Sequence, residues 1–443
     1  MPTPSLLIVP ARFKTGTLYS QIPVPVAPST SSVGDFNVTR NTAARRFGPD
    51  GLIASVASGI PRLDYYTSGG VTGCPALLVE PAATNLLFHS EVWTSGNNWT
   101  FADGVTSVSA SITAPDNTQA VNALSPTSAN SSHFFYSNNP TTITYTSGTI
   151  YTQSIFFKQG TGAAGRYVQL TYPNARFTQL GFANFDLQDG VVTASGGTAD
   201  TNRNARIENY GNGWYRCIFA ATCNSTGAGV GVLPTLITTS GATRVPTFLG
   251  VTGDVLYGWG AQIETGSVAT SYIPTTAGTG SRSADVISVS GAVSGSIGQQ
   301  SGTIYCEFQF NAPTIATAGV FSIESTNNAN RVILWHNSST NSLAVALRAN
   351  NSIIFNGSIG TLVNGGYYKI AIGYSSGNSK VYLNGNSTAV VTDTSAYTMA
   401  AALNRVALGN YENSASNLTI SRIRSFALYA ERLTDAEMIA LTT

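Results

Sequence analysis

Apolar side chains recur at every second position through most of this chain, and turn residues break the pattern about every ten residues. In TIYCEFQF, residues 303–310, Ile304, Cys306, Phe308 and Phe310 alternate with Tyr305, Glu307 and Gln309; in YYKIAIGY, Tyr368, Ile370, Ile372 and Tyr374 do the same. YVQLTY, residues 167–172, puts Val168, Leu170 and Tyr172 on one face, and YTQSIFF, residues 151–157, groups Tyr151, Gln153, Ile155 and Phe157. A period of two is the signature of half-buried antiparallel strands. With 44 glycines, 18 prolines and abundant Ser, Thr and Asn between the apolar runs, long helices are excluded. The pattern predicts an all-β chain with two antiparallel β-sandwich domains.

Prolines 2, 4, 10, 23, 25 and 28 deny the start of the chain a helix or a central strand. Residues 1–80 are therefore expected to form an extended attachment region that orders against a partner. Its arginines, Arg40, Arg45, Arg46 and Arg62, suit either a docking surface or a solvated face. Residues 81–290 form the first sandwich, and a segment poor in large side chains, residues 276–296, marks the passage to a second, 297–443. There, Asn384-Gly385 signals a tight turn whose two central residues take positive φ. Thr434 and Glu437 form a capping-box pattern for one short C-terminal helix.

Composition narrows the function. Charged residues are 10% of the chain, against roughly a quarter in typical proteins, and the formal net charge is +1. Nucleic acid is disfavoured as a partner, since counterion release needs concentrated Lys and Arg. The apolar run Leu6 to Val9 is too short for a secretory or membrane segment, so no membrane insertion is expected and synthesis falls in the cytoplasm. Cys74, Cys217, Cys223 and Cys306 lack metal-ligand spacing and read as buried thiols, with one structural disulfide as the competing reading.

Catalytic patterns are scarce. GTGAAG, Gly160 to Gly165, matches a dinucleotide fingerprint but is followed by a strand, so it reads as a β-hairpin loop and no cofactor is expected. No nucleophile elbow occurs, and His89, His133 and His336 are unpaired. Glycoside hydrolysis needs two nearby carboxylates, yet Glu307, Glu324, Asp393 and Glu412 are scattered over separate elements; no catalytic residue is assigned and the chain is read as a non-enzyme. Asp186 and Asp189, in FDLQDG, suit a solvated turn and are weak calcium candidates. Aromatic and amide side chains remain, the combination that recognises the apolar face and polar rim of a sugar. Trp214 and Trp259 lie inside strand patterns and belong to the core. Trp93 and Trp99, in EVWTSGNNWT, and Trp335 with His336 and Asn337 are the candidate glycan-binding residues, with packing as the alternative role.

Four phrases in order, GPDGLIASVASGIPRLDYY, CPALLVEPAATNLLFHSEVW, NGWYRC and GWGAQIETGSVATSYIPTT, resemble bacteriophage virion proteins containing the head spike fibre domain, over residues 36–290. KVYLNGNS, RVALGN and RIRSFALYAERLTDAEMIAL look like a concanavalin A-like or laminin-G-like sandwich. The resemblance implies a carbohydrate-binding jelly roll in a fibre or spike on the virion surface, on head or tail. It would be held to other virion proteins by the N-terminal region and would bind host surface polysaccharide during adsorption. It also implies a homotrimer, as do sandwich edges with few charges to protect them. No triple-stranded shaft repeat or long coiled coil is present, which favours a compact spike. A purely structural capsid decoration protein and a polysaccharide depolymerase are the alternatives.

Overall fold

The computed structural model describes the chain except residues 1, 22–33, 68–69, 103, 139–142, 198–203, 312–316, 364 and 411–419. It is all-β, every strand pairing among the described residues is antiparallel, and the sheets stack as two sandwiches. Apolar alternation dictates this result, because a strand with one apolar face must bury it against another sheet.

The middle sandwich packs two six-stranded sheets. One runs Trp99–Ala102, Phe134–Ser137, Leu233–Ile237, Tyr167–Thr171, Phe182–Asp186, Val191–Gly196; the other runs Val105–Ala110, Val121–Pro126, Val255–Thr265, Ile150–Thr161, Trp214–Thr222, Asn204–Asn209. Val168, Leu170 and Tyr172 meet Tyr151, Ile155 and Phe157 in the core between them. GTGAAG is not a hairpin: the strand before it and the strand after it belong to different sheets, so the loop carries the chain across the sandwich. Asp254 holds this crossing by accepting from the Ala164 amide at 2.8 Å.

The C-terminal sandwich uses both ends of the chain. Its eight-stranded sheet contains Ser301–Asn311, Gly366–Ser375 and Ile420–Tyr429 beside Leu63–Thr67 and Gly70–Val79, and Leu6–Ile8 pairs with Ile420–Tyr429, Leu6 facing Leu428. Its nine-stranded sheet joins Thr17–Leu18 and Phe36–Thr39 to Val286–Ser290 and Arg405–Leu408. Leu6, Ile8, Leu18, Phe36, Leu77 and Val79 lie in one core with Ile304, Cys306, Phe308 and Ile370. The expectation that this segment orders only against a partner is thus corrected for its described residues. Leu6 and Ile8 are apolar enough to add a strand within the same chain, and Pro2, Pro4 and Pro10 fall outside that strand.

Region 1–80 is therefore not a separate domain, and the C-terminal sandwich does not begin at 297. The middle sandwich is an insertion whose entry and exit pair as Ala83–Asn85 with Gly280–Arg282. The hairpin of Ala44–Phe47 and Ile53–Val56 then covers its outer sheet face, where Phe47, Ile53 and Tyr66 pack on Phe156, Trp214 and Trp259. Both tryptophans read as core are buried there.

Local signals appear where expected. Asn384 and Gly385 both have positive φ, and the Asn386 amide closes their turn on the Leu383 carbonyl at 3.0 Å. Thr434 and Glu437 cap the helix Asp435–Thr442 reciprocally. Among the described residues all four cysteines are free thiols; Cys217, Cys223 and Cys306 are buried, whereas Cys74, expected to be buried, is exposed midway along its strand.

Candidate functional site

The tryptophans proposed for exposure are packed instead. Trp93 and Trp99 stack at 4.9 Å between centroids in the middle core, against Phe135. Their indole N–H groups donate to the Ser90 and His89 carbonyls at 3.0 and 3.1 Å, and Asn122 accepts the Trp93 amide at 2.9 Å. The Asn-rich setting that suggested a wet loop in fact lies over a core anchor. Trp335 is 7% exposed on the outer face of the nine-stranded sheet, with Ile333, Ala344 and Ala346. His336 points the other way, beside Phe310, its Nε2 3.1 Å from the Asn341 side-chain oxygen. Asn337 accepts from the Ser339 amide and hydroxyl in a local turn. Strand alternation separates Trp335 and His336 onto opposite faces, so the five residues do not converge.

Arg166 lies between the two weak calcium candidates, its guanidinium 2.5 Å from Asp186 and 3.0 Å from Asp189. Burial works against ionisation of Asp186, but Arg166 and the amides of Gln188 and Asp189 hold its carboxyl below the ordinary range. One guanidinium thus bridges both carboxylates and occupies the space between them.

The region-1–80 arginines form neither a docking surface nor a solvated face as a set. Arg40 and Arg62 are buried at the neck of the inserted sandwich. Arg62 pairs with Asp285 and, at 2.7 Å, with Glu80; Arg40 reaches Asp285 at 3.0 Å and Arg282 reaches Glu80 at 3.0 Å. Burial alone would raise Glu80, but Arg282, Arg62 and Ser271 hold it far below its usual value. Arg62, Asp64 and Glu80 belong to the first two phrases of the resemblance, and Arg216, Glu264 and Ser271 to the last two. Those phrases spell out a joint between modules.

Side chains suited to a ligand converge elsewhere, on the outer face of the eight-stranded sheet. The C-terminal helix and the turn leading into it cover one side of that face, Met438 and Leu433 packing over Tyr305, Ala371, Tyr382 and Ala427. The uncovered side is a shallow site of about 350 Å³ lined by Glu307, Tyr367, Lys369, Asn384, Arg424 and the end of the helix. Tyr367 and Lys369 project together because they are two apart on one strand. Arg424 arrives by a β-bulge: Ser425 opposes Glu307 and Ile423 opposes Phe308, leaving Arg424 as the extra residue. Its guanidinium lies 4.6 Å from the Tyr367 ring centroid and 3.8 Å from Glu307. Lys369 Nζ donates to the Thr443 carbonyl at 2.8 Å, and Asn384 accepts the Lys369 amide at 2.7 Å. Tyr367 remains 38% exposed.

A flat ring bordered by guanidinium, ammonium, carboxylate and amide groups can take the apolar face of a sugar and bond its hydroxyls. Glu307 is the sole carboxylate side chain lining this site. Glu324 is buried in the opposite sheet, Asp393 is in the strand Val391–Asp393, and Glu412 lies outside the described residues. Sequence reading had placed Glu307 on an outward position but missed Tyr367 and Arg424. Tyr367 was legible as the outward neighbour of inward Tyr368, whereas nothing in RIRSF announces a bulge.

No family model and no curated protein matches the chain. Among solved structures, the CBM40 domain of the Ruminococcus gnavus IT-sialidase bound to alpha2,6 sialyllactose is similar over 33% of this chain and 84% of that one, at 18% identity and a TM-score of 0.28. A heptameric SAP-like pentraxin from Limulus polyphemus is similar over 33% and 70%, at 18% identity and a TM-score of 0.28. Domain 4 of AbnA, an extracellular arabinanase from Geobacillus stearothermophilus, in complex with arabinotriose, is similar over 36% and 73%, at 16% identity and a TM-score of 0.29.

Proposed function

We propose that this chain is a carbohydrate-binding adhesin that holds bacterial surface polysaccharide through the Tyr367–Arg424 face. The observation that carries this reading is the convergence of an exposed tyrosine ring with Arg424, Glu307, Lys369 and Asn384 on the side of a sheet face that the helix leaves open. One such shallow site binds weakly, so the adhesin works through repetition. The setting suggested by the sequence phrases supplies it: a spike or fibre on a phage head or tail, presenting three copies on the virion surface. The edge strand Ser352–Thr361 supports self-association, because SIIFNGSIGT carries no charge or proline and leaves Ile353 60% exposed.

The test is a polysaccharide panel from bacterial surfaces, probed with purified full-length protein whose mass is read by light scattering. Retention of at least one polysaccharide by a trimer is expected. No retention of any would end the adhesin reading, and a monomer at micromolar concentration would end the trimeric one. New reducing ends on incubation would replace adhesion by depolymerisation.

A further inference from the structure

We propose that the joint between the hairpin of residues 44–56 and the two sandwiches binds a monatomic anion, a halide. A cavity of about 30 Å³ lies there, bordered by Arg46, Arg216 and Arg422 and by Asp64, Glu80 and Glu208. Every carboxylate on its wall is already engaged. Asp64 accepts from Arg422 Nε at 2.9 Å and from the amides of Phe47 and Tyr66. Glu80 accepts from Arg62 and from the Ser271 amide and hydroxyl, and Glu208 accepts from Arg206 Nε at 3.0 Å.

Arg46 and Arg216 have no carboxylate within salt-bridge distance among the described residues, although Tyr210 bonds Arg216 and Glu208 and Glu264 lie near enough to favour its charge. Arg46 donates one terminal N–H to the Leu63 carbonyl at 2.6 Å, and Arg216, 2% exposed, donates one to the Ser154 hydroxyl at 2.8 Å. The Nε of each is buried and makes no hydrogen bond, and among the described residues neither guanidinium forms a salt bridge. Two cations thus border one small space, each with an N–H to give. A buried N–H without an acceptor is costly, and a water there would answer the hydrogen bonds but not the excess of arginines, Arg45 included, over the three carboxylates on the wall. An anion satisfies both the hydrogen bonds and the charge. The cavity exceeds the 10–15 Å³ or so that one water needs and has room for a chloride or bromide. Arg46 belongs to the N-terminal hairpin and Arg216 to the inserted sandwich, so the ion clasps one to the other.

The test uses full-length protein at fixed ionic strength, with chloride or bromide exchanged for isethionate, and crystals grown in bromide. Saturable binding stabilises the folded chain, so Tm should rise by about 2 °C for each tenfold increase in halide above its Kd and should not respond to isethionate. The half-buried Arg46→Gln should abolish most of that dependence while the protein remains folded. A single anomalous bromide peak within hydrogen-bond reach of the Arg46 and Arg216 guanidiniums is expected from wild-type crystals, whatever the variants do. A water there with no anomalous signal, or a Tm indifferent to the choice of anion, would overturn the proposal.

Discussion

Arg62 and Arg424 both belong to the C-terminal sandwich, yet Arg62 is fully buried between Glu80 and Asp285 while Arg424 lies 31% exposed over Tyr367. At the neck, Arg40, Arg62 and Arg282 are matched with Glu80 and Asp285 within hydrogen-bond reach, and the arrangement holds three stretches of chain in register. On the outer face the charges are loosely paired, the aromatic ring is accessible, and the backbone bulges to present a side chain. The first arrangement spends its hydrogen bonds within the protein, and the second keeps some for a ligand. Charge clusters in a sequence therefore say little about function until their partners are known.

The sharpest way to break this contrast is Asp285→Ala. It strips Arg62 and Arg40 of a buried partner, and removing one side of a buried ion pair costs about 3–5 kcal/mol. Denaturant unfolding should show a loss of that size, and a loss below about 1 kcal/mol would make the neck a bystander. Leu6→Ala tests whether the start of the chain belongs to the core. Leu6 is fully buried opposite Leu428, so a cost of about 3 kcal/mol is expected, whereas a free docking arm would lose nothing.

Acid should separate the two regions further. Glu80 ionises far more readily in the folded chain than the usual 4.5 of an unfolded glutamate, because Arg282 and Arg62 outweigh the cost of its burial. The unfolded chain therefore takes up the proton first as pH falls. The stabilisation is complete above the unfolded pKa and drains away as pH drops from there toward the folded one. Thermal unfolding should show wild type losing stability steeply below about pH 4, and a Glu80→Gln chain, already weakened at neutral pH, losing less over the same interval. Equal slopes would mean that Glu80 does not hold the neck.

A smaller effect is expected at the helix that walls the outer site. Thr434→Ala removes a cap that accepts from the Glu437 amide, worth about 1 kcal/mol, and should loosen the N-terminal end of the helix, beside Lys380, without touching the neck.

What the sequence disclosed follows from the range of each interaction. Period-two strands, the Asn384-Gly385 turn and the Thr434 cap depend on residues a few positions apart, and all were legible. The pairing of Leu6 with Leu428 spans almost the whole chain, so the early prolines looked like a sign of disorder and the insertion of one sandwich into the other was invisible. Trp93 and Trp99 misled because asparagines beside a tryptophan can bond the backbone over a core as well as line a wet loop; Asn122, remote in sequence, decides which. Arg424 was hidden because a bulge breaks the alternation used to find outward residues.

The central claim is that recognition resides on the outer face and assembly at the neck, and Tyr367→Ala tests it most directly. The variant's affinity for a polysaccharide retained by wild type should be measured by titration well below Tm. The account predicts a loss of tenfold or more, about 1.4 kcal/mol or above, in a chain whose unfolding temperature is unchanged. Undiminished affinity in that folded variant would contradict it.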